Sequence, residues 1–89
     1  MQTKKEKFKE LYRKYIDEGA EYIGVFIKSH NLEEPELIVN PKENLSKKLE
    51  YYLKAYNGDM RLNSLHSIQI VAISPVIYLE DLYMNKVEL

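Results

Sequence analysis

The sequence predicts an α+β domain: a small sheet of about three strands packed by two amphipathic helices, in the order α-β-β-α-β, with a further segment at the C-terminus. Three observations predict it. Two stretches, opening near Thr3 and near Asn40, repeat apolar side chains at helical spacing behind recognisable start signals. The runs 22–28, 36–39 and 67–73 are short and rich in β-branched and aromatic residues. Finally, 89 residues at 45% hydrophobic and 30% charged suit one ordinary globular domain, 1–89, with no linker or internal repeat.

The first helix follows from Thr3 and Glu6, which stand at the spacing of a capping box. Behind them Phe8, Leu11, Tyr12, Tyr15 and Ile16 share one helical face, and Gly19 supplies a stop. The strand "YIGVFIK" is apolar on both sides, with Tyr22, Gly24 and Phe26 on one and Ile23, Val25 and Ile27 on the other. After the loop "SHNLEEP", "ELIV" is expected to pair antiparallel with it. Asn40 and Pro41 then predict a second helix, with Asn40 as cap, Pro41 in the first turn, Glu43 completing the exchange and Asn57-Gly58 closing it. On that helix Leu45, Leu49, Tyr52, Leu53 and Tyr56 fall on one face, while Tyr51 points away between Lys47 and Lys54. In the third strand, 67–73, strict alternation places Ile68, Ile70 and Ala72 opposite Val71 and Ile73, and Pro75 is expected to end it. A short helix is favoured for the C-terminal segment, with Val76, Leu79, Tyr83 and Val87 in line.

Two helices on one side of a sheet shelter one face. Because both faces of the first strand are apolar, the second must be covered, by the C-terminal segment or by another chain. Val76, Leu79 and Tyr83 are therefore the candidate cover or oligomer surface. Tyr51 with Lys47 and Lys54 is a candidate partner-binding group, since an exposed tyrosine offers contact area at little entropic cost.

The net charge of −1 conceals a segregation. Residues 1–14 carry six basic residues against Glu6 and Glu10, and residues 15–44 carry seven acids against Lys28 and Lys42. Lys4, Lys7 and Lys14 mark a candidate basic face on the first helix, and nucleic acid is the alternative partner it suggests.

Catalytic and metal chemistry find no support. There is no cysteine, hence no disulfide, thiolate nucleophile or cysteine zinc site. His30 with Glu33, Glu34 and Glu36 lacks the register of a calcium loop or a zinc site. His66 beside Ser64 and Ser67 has no placed carboxylate for a triad, and the glycines are too scattered to cradle a phosphate. No cofactor or small-molecule substrate is implied. The start "MQTKKEKFKELYRKY" has no apolar stretch, so neither export signal nor membrane anchor is expected.

The run Tyr22-Ile23-Gly24-Val25-Phe26-Ile27, then Pro35-Glu36-Leu37-Ile38-Val39-Asn40-Pro41 with Glu43-Asn44, then Lys48-Leu49-Glu50-Tyr51-Tyr52 and Ala55-Tyr56-Asn57 resembles small uncharacterised proteins of phages and prophages of Gram-positive bacteria. The likeness covers about residues 22–73. It brings no catalytic motif. It implies an accessory protein in the cytoplasm of a bacterial host, acting by binding a host or phage protein or itself as a homodimer.

Overall fold

The computed structural model describes residues 2–31, 33–76 and 78–89. Position 32 of the predicted loop and position 77 of the predicted C-terminal helix lie outside the described residues. Helix α1 spans Lys4–Asp17, and its N-terminus carries the predicted capping box: the Glu6 amide donates to the Thr3 hydroxyl and the Thr3 amide to the Glu6 carboxylate. Such a cap is worth about 1 kcal/mol. Gly19, at φ +80°, ends the helix in the left-handed conformation that only glycine adopts freely.

Strand β1 (Tyr22–Ser29) lies between β2 (Glu36–Pro41) and β4 (Leu65–Val76), antiparallel to both. The short β3 (Arg61–Leu62) and β5 (Val87–Glu88) pair with the other edge of β4. The sheet thus has five strands where the sequence suggested three. Strands of two residues escape periodicity analysis, because alternation needs several positions to register.

A bulge accounts for the second difference. Between the pairs Phe26↔Ala72 and Ile27↔Ile70 the register shifts, leaving Val71 extra on β4. Its carbonyl accepts from the Leu89 amide instead (3.0 Å). One inserted residue exchanges the two sides of a strand. Ile68 and Ile70 therefore join Ile73 against the helices, while Ala72, Ser74 and Val76 face the other way. The strand also continues through Pro75, because β5 pairs with Ala72 and Ile73 and stops short of it. Beyond β5 the outer edge of β4 has no paired strand among the described residues, so a residue without an N–H is tolerated there.

Helix α2 spans Leu45–Ala55 and begins later than predicted. Pro41 is the last residue of β2, and Lys42–Asn44 form a 3-10 turn before the helix. Asn40 is no cap: its buried side chain bonds the Tyr52 hydroxyl, with its amide 3.2 Å away. Burial rewards a polar group that finds a partner inside over one left at a helix end. Asn57, rather than closing the helix, organises the next turn by accepting from the Asp59 and Arg61 amides. That turn holds Met60 fully buried at φ +58°.

The predicted core faces are otherwise present. Phe8, Tyr12 and Tyr15 of α1 and Leu45, Leu49 and Tyr52 of α2 meet Ile23, Val25, Ile70 and Ile73 of the sheet. Phe8, Tyr12 and Tyr52 pack ring to ring, with centroids 5.5–6.3 Å apart. Tyr12 is fully buried, and its hydroxyl has no hydrogen-bond partner among the described residues. Leaving a buried hydroxyl unpaired costs about 1–3 kcal/mol, so Tyr12→Phe is expected to keep stability or raise it by up to about 2 kcal/mol. Urea denaturation decides the matter, and a loss above about 1 kcal/mol would contradict an unpaired hydroxyl.

The C-terminal segment does not form the predicted helix over 76–87. Val76 ends β4, Leu79–Asp81 make one 3-10 turn, and the chain then crosses the sheet to β5. It does cover the second face, as the two-sided apolarity of β1 requires. Leu82 is buried against Gly24, and its carbonyl accepts from the Ser74 hydroxyl, while Tyr83 sets an edge on Phe26 at 5.5 Å. Among the described residues no helix is long and apolar enough to cross a membrane.

Candidate functional site

The strap formed by residues 78–88 positions its side chains through the turn at its start. The Asp81 amide donates to the Tyr78 carbonyl (3.1 Å) and the Leu82 amide to that of Leu79 (3.3 Å). The Asp81 carbonyl then accepts from the amides of Met84 and Asn85 and from the Asn85 side chain. This tight coil directs one large apolar group, Leu82, into the sheet and leaves its neighbours outside. Tyr78 is 63% exposed, Leu79 49%, Tyr83 68% and Met84 84%. Single exposed apolar residues are ordinary on any surface; four within residues 78–84 are many for so short a segment. Lys86 places its ammonium 5.3 Å from the centre of the Phe26 ring, which Tyr83 also meets.

Of the residues that the sequence proposes for this surface, Leu79 and Tyr83 stand in solvent, whereas Val76 is buried as part of the covered sheet. Sequence reasoning missed Tyr78 and Met84. The signal was the adjacency of two apolar residues at Tyr78-Leu79 and again at Tyr83-Met84, which no single inward face accommodates in a short segment.

Tyr51 lies on the outer side of α2 and is 52% exposed. Its ring meets Tyr52 edge-on at 5.5 Å, and the ammonium nearest its face is that of Lys48, 5.7 Å from the centroid. Lys47 and Lys54 are exposed beside it. Lys47, Lys48 and Lys54 all stand three or four positions from Tyr51 and share its side of the helix, and Lys48 is the one whose ammonium comes over the ring. The helices lie on one face of the sheet and the strap on the other, so the Tyr51 group and the Leu79 and Tyr83 group are separate surfaces.

The basic helix is less basic in space than in sequence. Lys5 donates to the Tyr56 carbonyl (2.8 Å) and Lys7 to the Glu88 carbonyl (2.9 Å), which ties both to the domain itself. Lys4 and Lys14 are exposed. Along the outer face Lys9, Arg13 and Lys14 alternate with Glu6, Glu10, Asp17 and Glu18 in a shallow groove. A phosphate backbone finds no continuous basic stripe there.

Among the described residues there is no cluster of three or more histidine, aspartate or glutamate side chains able to hold a metal. His30 instead shares a shallow depression with the basic Lys28 and Arg61. The other concavity of note lies between the end of α1 and the strap, a cleft of about 380 Å³ lined by residues that include Tyr15, Glu18, Tyr78, Asp81 and Asn85.

Comparison of the chain with protein-family models, with curated proteins and with solved structures finds no match.

Proposed function

We propose that this chain is a non-enzymatic binding protein whose contact surface for another protein is the strap, with Tyr78, Leu79, Tyr83 and Met84 as its contacts. The observation that carries the reading is the exposure of these four side chains on a backbone fixed from beneath by Leu82. Aromatic and methionine side chains are enriched in the centres of protein interfaces, and contacts on an anchored segment lose little freedom on association. With the resemblance to phage and prophage proteins, the role becomes that of an accessory protein in the cytoplasm of a bacterial host, binding a host or phage component. Nucleic-acid binding through α1 is the weaker alternative, since Lys7 is engaged with the strap's carbonyl and acids interrupt the outer face.

The test is affinity capture from a bacterial host with the wild-type chain, Tyr83→Ser/Met84→Ser and Tyr51→Ala. Both substituted sites are exposed apart from the edge contact of Tyr83 with Phe26, so the strap variant is expected to lose no more than about 0.5–1.5 kcal/mol and to stay folded. A partner retained by Tyr51→Ala and lost by the strap variant supports the reading; equal recovery by all three refutes it.

A second reading, self-association, is favoured by one separate observation. The outer edge of β2 is unpaired among the described residues, and Ile38 and Val39 are exposed there. An open edge is a template for strand pairing between copies. Light scattering across a dilution series separates the two readings, because strap binding to another protein needs no change of mass in the isolated chain.

A further inference from the structure

The cleft between the end of α1 and the strap has a one-sided chemistry. Two tyrosines and two carboxylates, Glu18 and Asp81, line it, and no basic residue among the described residues does. The ion pairs among the described residues are Lys42 with Glu21 and Lys86 with Glu88, so neither cleft carboxylate has a cationic partner. Tyr15 is only 6% exposed and lines the cleft. Among the described residues Tyr52 is the one tyrosine whose hydroxyl makes a hydrogen bond, so that of Tyr15 is left without a partner at the cleft wall. One N–H of the Asn85 amide is engaged with the Asp81 carbonyl, and its oxygen is free to act as an acceptor. The C-terminal end of α1 adds the negative pole of a helix dipole.

We infer that this cleft binds a guanidinium cation, the side chain of an arginine. The walls supply acceptors, namely the two carboxylates, a phenol oxygen and an amide oxygen, together with aromatic surface. A planar, weakly hydrated cation with five donors uses both, whereas a compact ammonium uses mainly the charge. The assignment of that arginine to the protein partner rests on the strap reading, because Tyr78 and Asp81 belong to the strap. The chemistry of the cleft does not depend on it.

The experiment is an amide-resolved NMR titration of the full chain with Nα-acetyl-arginine N-methylamide, alongside the lysine and citrulline counterparts and magnesium chloride. Saturable shifts with the arginine compound, confined to the amides around Gly19, Ala20, Tyr78, Asp81 and Asn85, are expected. Lysine should bind more weakly and neutral citrulline should not bind. Asp81→Asn and Glu18→Gln, whose spectra also report folding, should each weaken arginine binding about threefold to tenfold. The inference is overturned if the arginine compound gives no saturable shift, if citrulline matches it, or if magnesium produces the same shifts at equal concentration. Arginine binding in a chain whose strap variant still captures its partner would keep the cleft and remove the strap reading. Loss of capture in the strap variant with no arginine binding would do the reverse.

Discussion

Leu82→Ala is expected to lower the free energy of unfolding by about 2–5 kcal/mol, whereas Met84→Ala, two positions along, should change it by no more than about 0.5 kcal/mol. Leu82 is 4% exposed, and it fills a place made for it. A Cβ on Gly24 would lie 2.7 Å from Leu82 Cδ2 and 3.0 Å from Leu37 Cδ1, so the missing side chain at 24 is what lets the strap approach the sheet. Phe26, Ala72 and Val76 are buried outside the cluster that the helices share with the sheet, and Phe26 is met by Tyr83 of the strap that Leu82 anchors. Truncation leaves a cavity at that point and loosens the only cover of the second face among the described residues. Urea denaturation gives the stability change, and limited proteolysis gives its location, since cleavage should accelerate first within the strap. Equal losses from Leu82→Ala and Met84→Ala would mean that the strap is not packed as described. The functional consequence follows directly: a strap without its anchor no longer presents Tyr83 and Met84 in one arrangement, so partner capture should fall although neither contact residue has been changed.

The strap was legible as a requirement and illegible as a shape. Two apolar sides on "YIGVFIK" demand a cover whatever its conformation, because hydrophobic burial depends on area and not on geometry. The form of the cover depended on tertiary choices: Leu82 entering over Gly24, and β5 pairing at Ala72 and Ile73. Neither leaves a local period. The same distinction explains the other differences. The capping box at Thr3 and Glu6 is a local exchange and reads directly from spacing. Asn40 reads locally as a cap, but its competitor is Tyr52, twelve positions away and brought close only by the fold. The bulge at Val71 is equally silent in sequence, and it reverses the sides on which the isoleucines of β4 lie. In the candidate site, the exposure of Tyr51 followed from its being surplus to an inward face; Leu79 and Tyr83 read as part of the cover but stand in solvent because Leu82 takes the inward place, and Val76 was absorbed by a strand longer than its apolar pattern.

Raising the pH above 10 is expected to unfold the domain through its buried tyrosines. Burial pushes Tyr12 well above the usual phenol value of 10.0 and raises Tyr52 as well, with the Tyr52 ring adding to the effect at Tyr12 and the Asn40 hydrogen bond moderating it at Tyr52. Burial likewise raises Tyr15, with Glu18 contributing, and pushes Tyr56 up to about 12, with Tyr51 and then Tyr52 adding to it. In the unfolded chain each of these phenols ionises near 10, while the folded domain holds its protons. Above that point the native state binds more protons than the unfolded state, so stability falls as pH rises. The contribution is fully present below about pH 10 and is lost progressively towards pH 12 and beyond. A tyrosine that ionises only on unfolding contributes a slope of about 1.4 kcal/mol per pH unit, lessened for Tyr15 and Tyr56 by their contact with solvent. Several such residues acting together are large beside a total stability of about 5–15 kcal/mol. Tyrosinate absorbance from the buried rings should therefore rise together with the loss of circular dichroism. Tyr12→Phe separates this mechanism from general charge repulsion: the variant should shift the alkaline midpoint upward and flatten the slope by about one tyrosine's share, 1.4 kcal/mol per pH unit. An unchanged slope in that variant, or complete tyrosinate formation in a chain still folded near pH 11, would show that the phenols ionise without unfolding the core.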